Sequence, residues 1–136
     1  MSQQSKIALV TGGSRGLGKN MALNIARKGL DVVLTYNSKK ESALGTIAEI
    51  EQLGQKAIAL QLNTADVKSF DSFFELLKQE LSVKFGTQKI NYLVNNAGIG
   101  INSLFAETTE EDFDSLFNIH FKGVYFFTQK ALNILE

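Results

Sequence analysis

The run Thr11-Gly12-Gly13-Ser14-Arg15-Gly16-Leu17-Gly18 combines residue types and spacing that suit phosphate chemistry. It follows the apolar stretch Ile7-Ala8-Leu9-Val10 and opens a helix-like segment. A strand that ends in glycines and feeds a helix leaves backbone N–H groups unpaired at the helix N-terminus. Those groups and the helix dipole attract a pyrophosphate. The spacing is Gly-x-x-x-Gly-x-Gly rather than the commoner Gly-x-Gly-x-x-Gly, so the flanking strand and helix are what favour binding over an ordinary glycine-rich turn. Gly12 permits a tight exit from the strand, and Gly16 removes a Cβ from the path of a ligand. Gly18, Ala22 and Ala26 form a small-residue row that lets helix and sheet approach closely. A second polar cluster, Asn95-Asn96-Ala97-Gly98, follows another apolar run; its plainer reading is a turn after a strand. His120 is the only histidine. An imidazole can relay protons near neutral pH, or it can sit on a helix face with a local hydrogen bond.

These groups need a scaffold, and the chain supplies one by alternation. Strands are predicted over Lys6–Thr11, Val32–Tyr36, Ala57–Leu62 and Ile90–Val94. Leu17–Lys28 reads as a helix with Gly29 as its stop. Ser38-Lys39-Lys40-Glu41 has capping-box spacing and starts a second helix that Gly54 closes. Phe70, Phe73, Phe74, Leu77 and Leu81 form an amphipathic helical stripe, read as core. Thr109, followed by Glu110, Glu111 and Asp112, caps a long last helix. Alternating elements imply right-handed crossovers and an α/β fold, a parallel sheet with helices on both faces. Ligands of such sheets bind beyond the C-terminal strand ends. Thr11–Gly18, Tyr36–Ser38, Asn63–Thr64 and Asn95–Gly98 all fall there, so separate segments converge on one edge.

Bulk properties narrow the partners. The chain has 136 residues, 14 basic and 14 acidic, and no cysteine. Its length suits a single domain, 1–136. Zero net charge argues against nucleic acid or a membrane surface bound by bulk attraction. Without cysteine there are no disulfides and no Cys-based metal site, and no metal is expected. The N-terminus, Met1-Ser2-Gln3-Gln4-Ser5-Lys6, lacks the apolar core of a secretory signal. No apolar run approaches the ~20 residues that span a bilayer. A cytoplasmic protein is the expectation.

With Thr11-Gly12-Gly13-Ser14-Arg15-Gly16-Leu17-Gly18 and Asn95-Asn96-Ala97-Gly98 at this separation, the chain resembles the short-chain dehydrogenase/reductase family over essentially its whole length. The resemblance implies a Rossmann-like, doubly wound sheet that binds NAD or NADP and supports hydride transfer between a nicotinamide and an alcohol or carbonyl. It implies that Gly12, Gly16 and Gly18 cradle the pyrophosphate, and that Asn95 braces neighbouring strands. Ala97 and Gly98 would line the path to the nicotinamide ribose. Asn63 stands where many relatives carry an aspartate for adenine; an amide can both accept and donate there. Charge selects the coenzyme. An NAD site ends its second strand with an acid for the ribose hydroxyls, but here that position is Tyr36, followed by Asn37 and Ser38. Arg15 could grip a 2′-phosphate, helped by Lys39 or Lys40. NADP is therefore expected over NAD.

Relatives complete the reaction with a serine and a Tyr-x-x-x-Lys pair beyond the long helix, past Glu136. The one such match here, Tyr36 to Lys40, belongs to the adenosine end and is rejected. Relatives also place an asparagine three residues before the glycine of Gly123-Val124-Tyr125; that residue here is His120, and Asn118 lies on another face of the helix. The expectation is a C-terminally truncated portion of an NADP-dependent oxidoreductase, inactive alone. The alternatives are a non-catalytic nucleotide-binding module or half of a split enzyme. The family's strand order, 3-2-1-4, would leave Ile90–Val94 as a raw edge. The last helix is apolar almost all round, with Phe113, Leu116, Phe117, Phe121, Val124, Tyr125, Phe126, Phe127, Ala131 and Leu135, and expects burial on every side. In relatives it packs in a subunit interface, so a homo-oligomer through this helix, or weak stability alone, is expected.

Overall fold

A computed structural model describes residues 5–136. Met1–Gln4, part of the polar N-terminus noted above, lie outside the described residues. The strands are β1 (Ile7–Val10), β2 (Asp31–Tyr36), β3 (Ala57–Gln61) and β4 (Tyr92–Val94). They form one parallel sheet in the order β3-β2-β1-β4. The helices are α1 (Gly16–Arg27), α2 (Lys40–Gln52), α3 (Phe70–Phe85), α4 (Glu110–Phe117) and α5 (Val124–Ala131).

Strand alternation sorts the core into two layers. Val10, Val32 and Leu34 face α1 and α2, meeting Ala22, Ala26, Ala43 and Ile50. Ile7, Leu9 and Val33 face the other way, meeting the α3 stripe, Phe127 and Ala131. Side chains of opposite parity on a strand point to opposite faces, so both faces of a central strand must be apolar, as the fully buried β1 is. Each such side chain contributes about 2 kcal/mol on burial. Phe127 sits against Phe70, Phe73 and Phe74, with ring centroids 5.3, 5.7 and 4.9 Å away. Lys130 pairs with Asp71 across the same α3–α5 contact.

Several expectations need correction. Ser38 does not cap α2: the residue before that helix is Lys39, with no side-chain cap bond. Ser38 instead lies in the bend that lines the cleft described below. The strand predicted over Ile90–Val94 begins only at Tyr92, because Ile90 pairs away from β1, in a parallel bridge with Leu135. Ile90 N–H donates to the Ile134 carbonyl, and Glu136 N–H to that of Ile90, both at 2.9 Å. The outer edge of β4 itself is therefore open among the described residues, as expected, and only Ile90, just before it, is covered.

The last helix runs from Glu110 to Ala131 as expected, but a π-turn, Asn118–Gly123, widens it between α4 and α5. Thr109 does cap α4, its hydroxyl accepting from Asp112 N–H at 3.1 Å. As its all-round apolar surface implied, this helical segment finds too few partners among the described residues to be buried on every side. Phe127 and Ala131 are buried, but Phe113, Phe117, Phe121 and Tyr125 are exposed.

Candidate functional site

The C-terminal ends of the strands open onto a cleft of about 440 Å³. Its floor is the turn between β1 and α1. The turn is held from beneath by hydroxyls and one carboxamide. Thr11, buried, accepts at Oγ1 from the N–H groups of Asn96 and Ala97, each at 3.0 Å. Thr35 Oγ1 accepts from Gly12 N–H at 3.1 Å, and the Thr35 carbonyl accepts from Gly13 N–H at the same distance. Thr46, on α2, donates to the Ser14 carbonyl at 3.0 Å. Neutral hydrogen bonds contribute about 1 kcal/mol each, so their joint effect is chiefly to fix the turn's shape.

Two of its glycines show why that shape excludes other residues. Gly12 has φ +68°, a left-handed conformation that a side chain disfavours. Gly18 packs so tightly that an added Cβ would stand 2.1 Å from the Gly12 carbonyl oxygen. The small-residue row is therefore real, with Gly18, Ala22 and Ala26 all buried. Its first member lets α1 reach the turn itself. α1 begins at Gly16, has no acid in its first turn, and receives no side-chain cap from Arg15. The first N–H groups of a helix have no partner inside it. A positive helix end without a nearby carboxylate is suited to an anion.

The four predicted segments do meet. Gly12, Ser14, Arg15, Gly16, Leu17 and Gly18 line the cleft with Tyr36, Asn37 and Ser38, with Asn63 and Thr64, and with Ala97 and Gly98. Arg15 is exposed at the mouth, in the same cleft as the β2 end, where no carboxylate stands. Tyr36 and Lys40 are separated in role: Tyr36 lines the cleft, whereas Lys40 is exposed at the start of α2.

Three predicted residues lie elsewhere. Thr11 is beneath the floor, as described. Asn95 turns its amide to Thr128 Oγ1 at 3.0 Å. The bracing expected of Asn95 falls to Asn96, whose Nδ2 donates to the carbonyls of Thr11 and Gly12, each at 3.1 Å. Successive side chains of an extended segment point to opposite sides, and the register of β4 on β1 turns Asn96 toward the glycine turn. His120 is not in the lining; its ring bonds to the Ile99 backbone. Thr35, Thr46, Asn96 and Ile119 were not anticipated as site residues. A threonine such as Thr35, buried at the end of an otherwise apolar strand, is the one signal that could have revealed them.

A family model described as short chain dehydrogenase matches residues 6–136. The chain belongs to this family. Its relatives include a 3-oxoacyl-acyl-carrier-protein reductase, FabG, of Staphylococcus aureus, 37% identical over 129 residues; the match covers 95% of this chain and 50% of the relative. Among solved structures, a short-chain dehydrogenase from Burkholderia cenocepacia in complex with NADP is 36% identical with a TM-score of 0.84, covering 98% of this chain and 53% of that one. The angucycline C-6 ketoreductase LanV with bound NADP is 31% identical with a TM-score of 0.92, covering 97% and 52%. The short-chain dehydrogenase fold of these neighbours is the Rossmann-like arrangement seen here. The chain spans about half the length of the curated relatives it matches.

Proposed function

We propose that residues 1–136 form the NADP(H)-binding domain of a cytoplasmic short-chain reductase, acting on a small carbonyl or alcohol. The observation that carries this reading is the pairing of Arg15 with a β2 end, Tyr36-Asn37-Ser38, that has no acid, in one cleft. The residues fit a dinucleotide: the Gly12–Gly18 approach leaves no room for a Cβ, and Gly16, Leu17 and Gly18, which open α1, line a cleft whose lining holds no carboxylate. NADP complexes of two similar structures support the choice of coenzyme.

In this reading the amides of Ser14 to Gly18 hold the diphosphate, and Arg15 meets the 2′-phosphate through charge-assisted hydrogen bonds. Asn63 faces adenine, while Ala97 and Gly98 leave space beside the nicotinamide ribose. The coenzyme, when bound, supplies or accepts hydride. The proton would come from a serine and a Tyr-x-x-x-Lys pair that the 136 residues do not offer at the nicotinamide end, so these residues alone bind coenzyme and turn over nothing.

Calorimetric titration with NADPH and with NADH tests the reading. NADPH should bind about tenfold tighter or more, the scale of a charge-assisted contact; equal affinities, or preference for NADH, would refute it.

A second reading is half of a split enzyme, in which another chain supplies the groups these residues lack. Beyond the single bridge at Ile90, no pairing partner is found among the described residues for the outer edge of β4. A strand from another chain could complete it. Carbonyl reduction that appears only on mixing with such a chain would establish this alternative over a non-catalytic module.

A further inference from the structure

The helical segment beside the cleft is wound wide for one turn, and that turn touches both loops on the far side. Wide turns of this kind inside α-helices recur at functional sites. At the end of the π-turn, a Cβ on Gly123 would stand 2.1 Å from the Thr64 carbonyl oxygen. Within it, the His120 ring packs on Gly98, where a Cβ would stand 2.4 Å from the ring Cε1. Thr64, Gly98 and Ile99 all line the cleft. The wide turn therefore grips the two loops that form the cleft's far wall.

The grip of His120 has an unusual chemical form. Its Nε2 faces both polar groups of one backbone unit, 3.2 Å from the Ile99 nitrogen and 2.7 Å from the Ile99 oxygen. A single ring nitrogen carries either a proton or a lone pair, so it can serve only one of these groups at a time. The shorter contact decides which. Two lone pairs held at 2.7 Å would repel, whereas a donor and a carbonyl at that separation form a good hydrogen bond.

We propose that His120 is a positioning residue of the coenzyme cleft: its Nε2–H donates to the Ile99 carbonyl and fastens the Gly98–Ile99 turn in the shape that receives the nicotinamide half of the coenzyme. This rests on the NADP reading of the cleft. The clasp leaves the Ile99 N–H without a share of the ring. A carboxamide differs, because its oxygen can accept from the N–H while its nitrogen donates to the carbonyl. His120→Asn therefore keeps the clasp, and His120→Leu releases it.

Two measurements test this. Since the chain has a single histidine, ring-nitrogen NMR of the coenzyme-free chain in mildly alkaline solution reports on His120 alone. The proton should reside on Nε2; a proton-free Nε2 overturns the proposal, with no coenzyme involved. NADPH titrations then compare the three chains. His120→Leu should raise Kd about fivefold and His120→Asn should stay within about twofold of wild type. Unchanged affinity in the leucine variant, or an asparagine variant as weak as leucine, overturns it. Should the leucine variant not fold, the ring-nitrogen signal and the asparagine variant still decide. A wild-type chain that binds no NADPH refutes the NADP reading instead, and with it the cleft this clasp would serve.

Discussion

Phenylalanine does opposite things in two regions of this molecule. In and against α3, Phe70, Phe73, Phe74 and Phe127 interlock at near-perpendicular or tilted angles and are buried. Along α4 and the π-turn, Phe113, Phe117 and Phe121 stack in a row, with ring planes 12° and 16° apart, and stand exposed. α4 has no buried residue at all. The first set is shut between helix and sheet. The second forms an apolar stripe of the kind monomers seldom present to water. Hydrophobic content therefore measures core in one region and exposed surface in the other. What separates them is whether a sheet face lies opposite.

The sharpest way to break this comparison is one chemical change made in both places. Phe127→Ala should cost about 4 kcal/mol in denaturant unfolding. Phe113→Ala should change stability by less than about 0.5 kcal/mol. Equal losses would show that the stripe is core after all.

A second pair of variants asks whether the glycine turn belongs with the packed region. Gly18→Ala drives a Cβ to 2.1 Å from the Gly12 oxygen and should cost about 3 kcal/mol as overpacking. Gly16→Ala meets nothing within 4 Å but sits at φ +60°, so only backbone strain of about 1 kcal/mol is expected. Thermal melts of the two variants would rank them, and a reversed order would contradict the packing argument.

Smaller effects mark the exposed residues. Arg15→Ala should weaken NADPH about tenfold and leave NADH within about twofold, because only the 2′-phosphate contact is lost. Equal weakening of both coenzymes would move Arg15 off the 2′-phosphate. Phe117→Lys should leave folding stability within about 0.5 kcal/mol. It should nevertheless abolish the concentration-dependent self-association expected of the wild-type chain in sedimentation velocity. A wild-type chain that stays monomeric would mean the stripe is not an interface between copies.

Legibility in the sequence followed the same division. Both core faces were readable because strand alternation and helical periodicity are local patterns, whereas the sheet order followed only from the resemblance to the family. The cleft was readable as a meeting of strand ends, since parallel topology fixes which ends converge. Two kinds of feature were not. The Asn95–Asn96 pair offers identical side chains one position apart, and only the register of β4 against β1 decides which braces the turn. The π-turn leaves no mark in apolar spacing, which predicts one continuous helix; the close approaches of Gly98 to His120 and of Gly123 to Thr64 exist only once distant segments are packed. Ser38 misled for a related reason: capping-box spacing is a local signal, and the cleft wall claimed the residue first.

The most direct test of the account is amide NMR of the chain titrated with NADPH. Signals from Ser14 to Gly18 and from Ala97 to Ile99 should move saturably, while those of Phe113 and Phe117 stay in place. Saturable shifts confined to α4, or none in the turn that opens α1, would contradict the claim that this turn holds a dinucleotide.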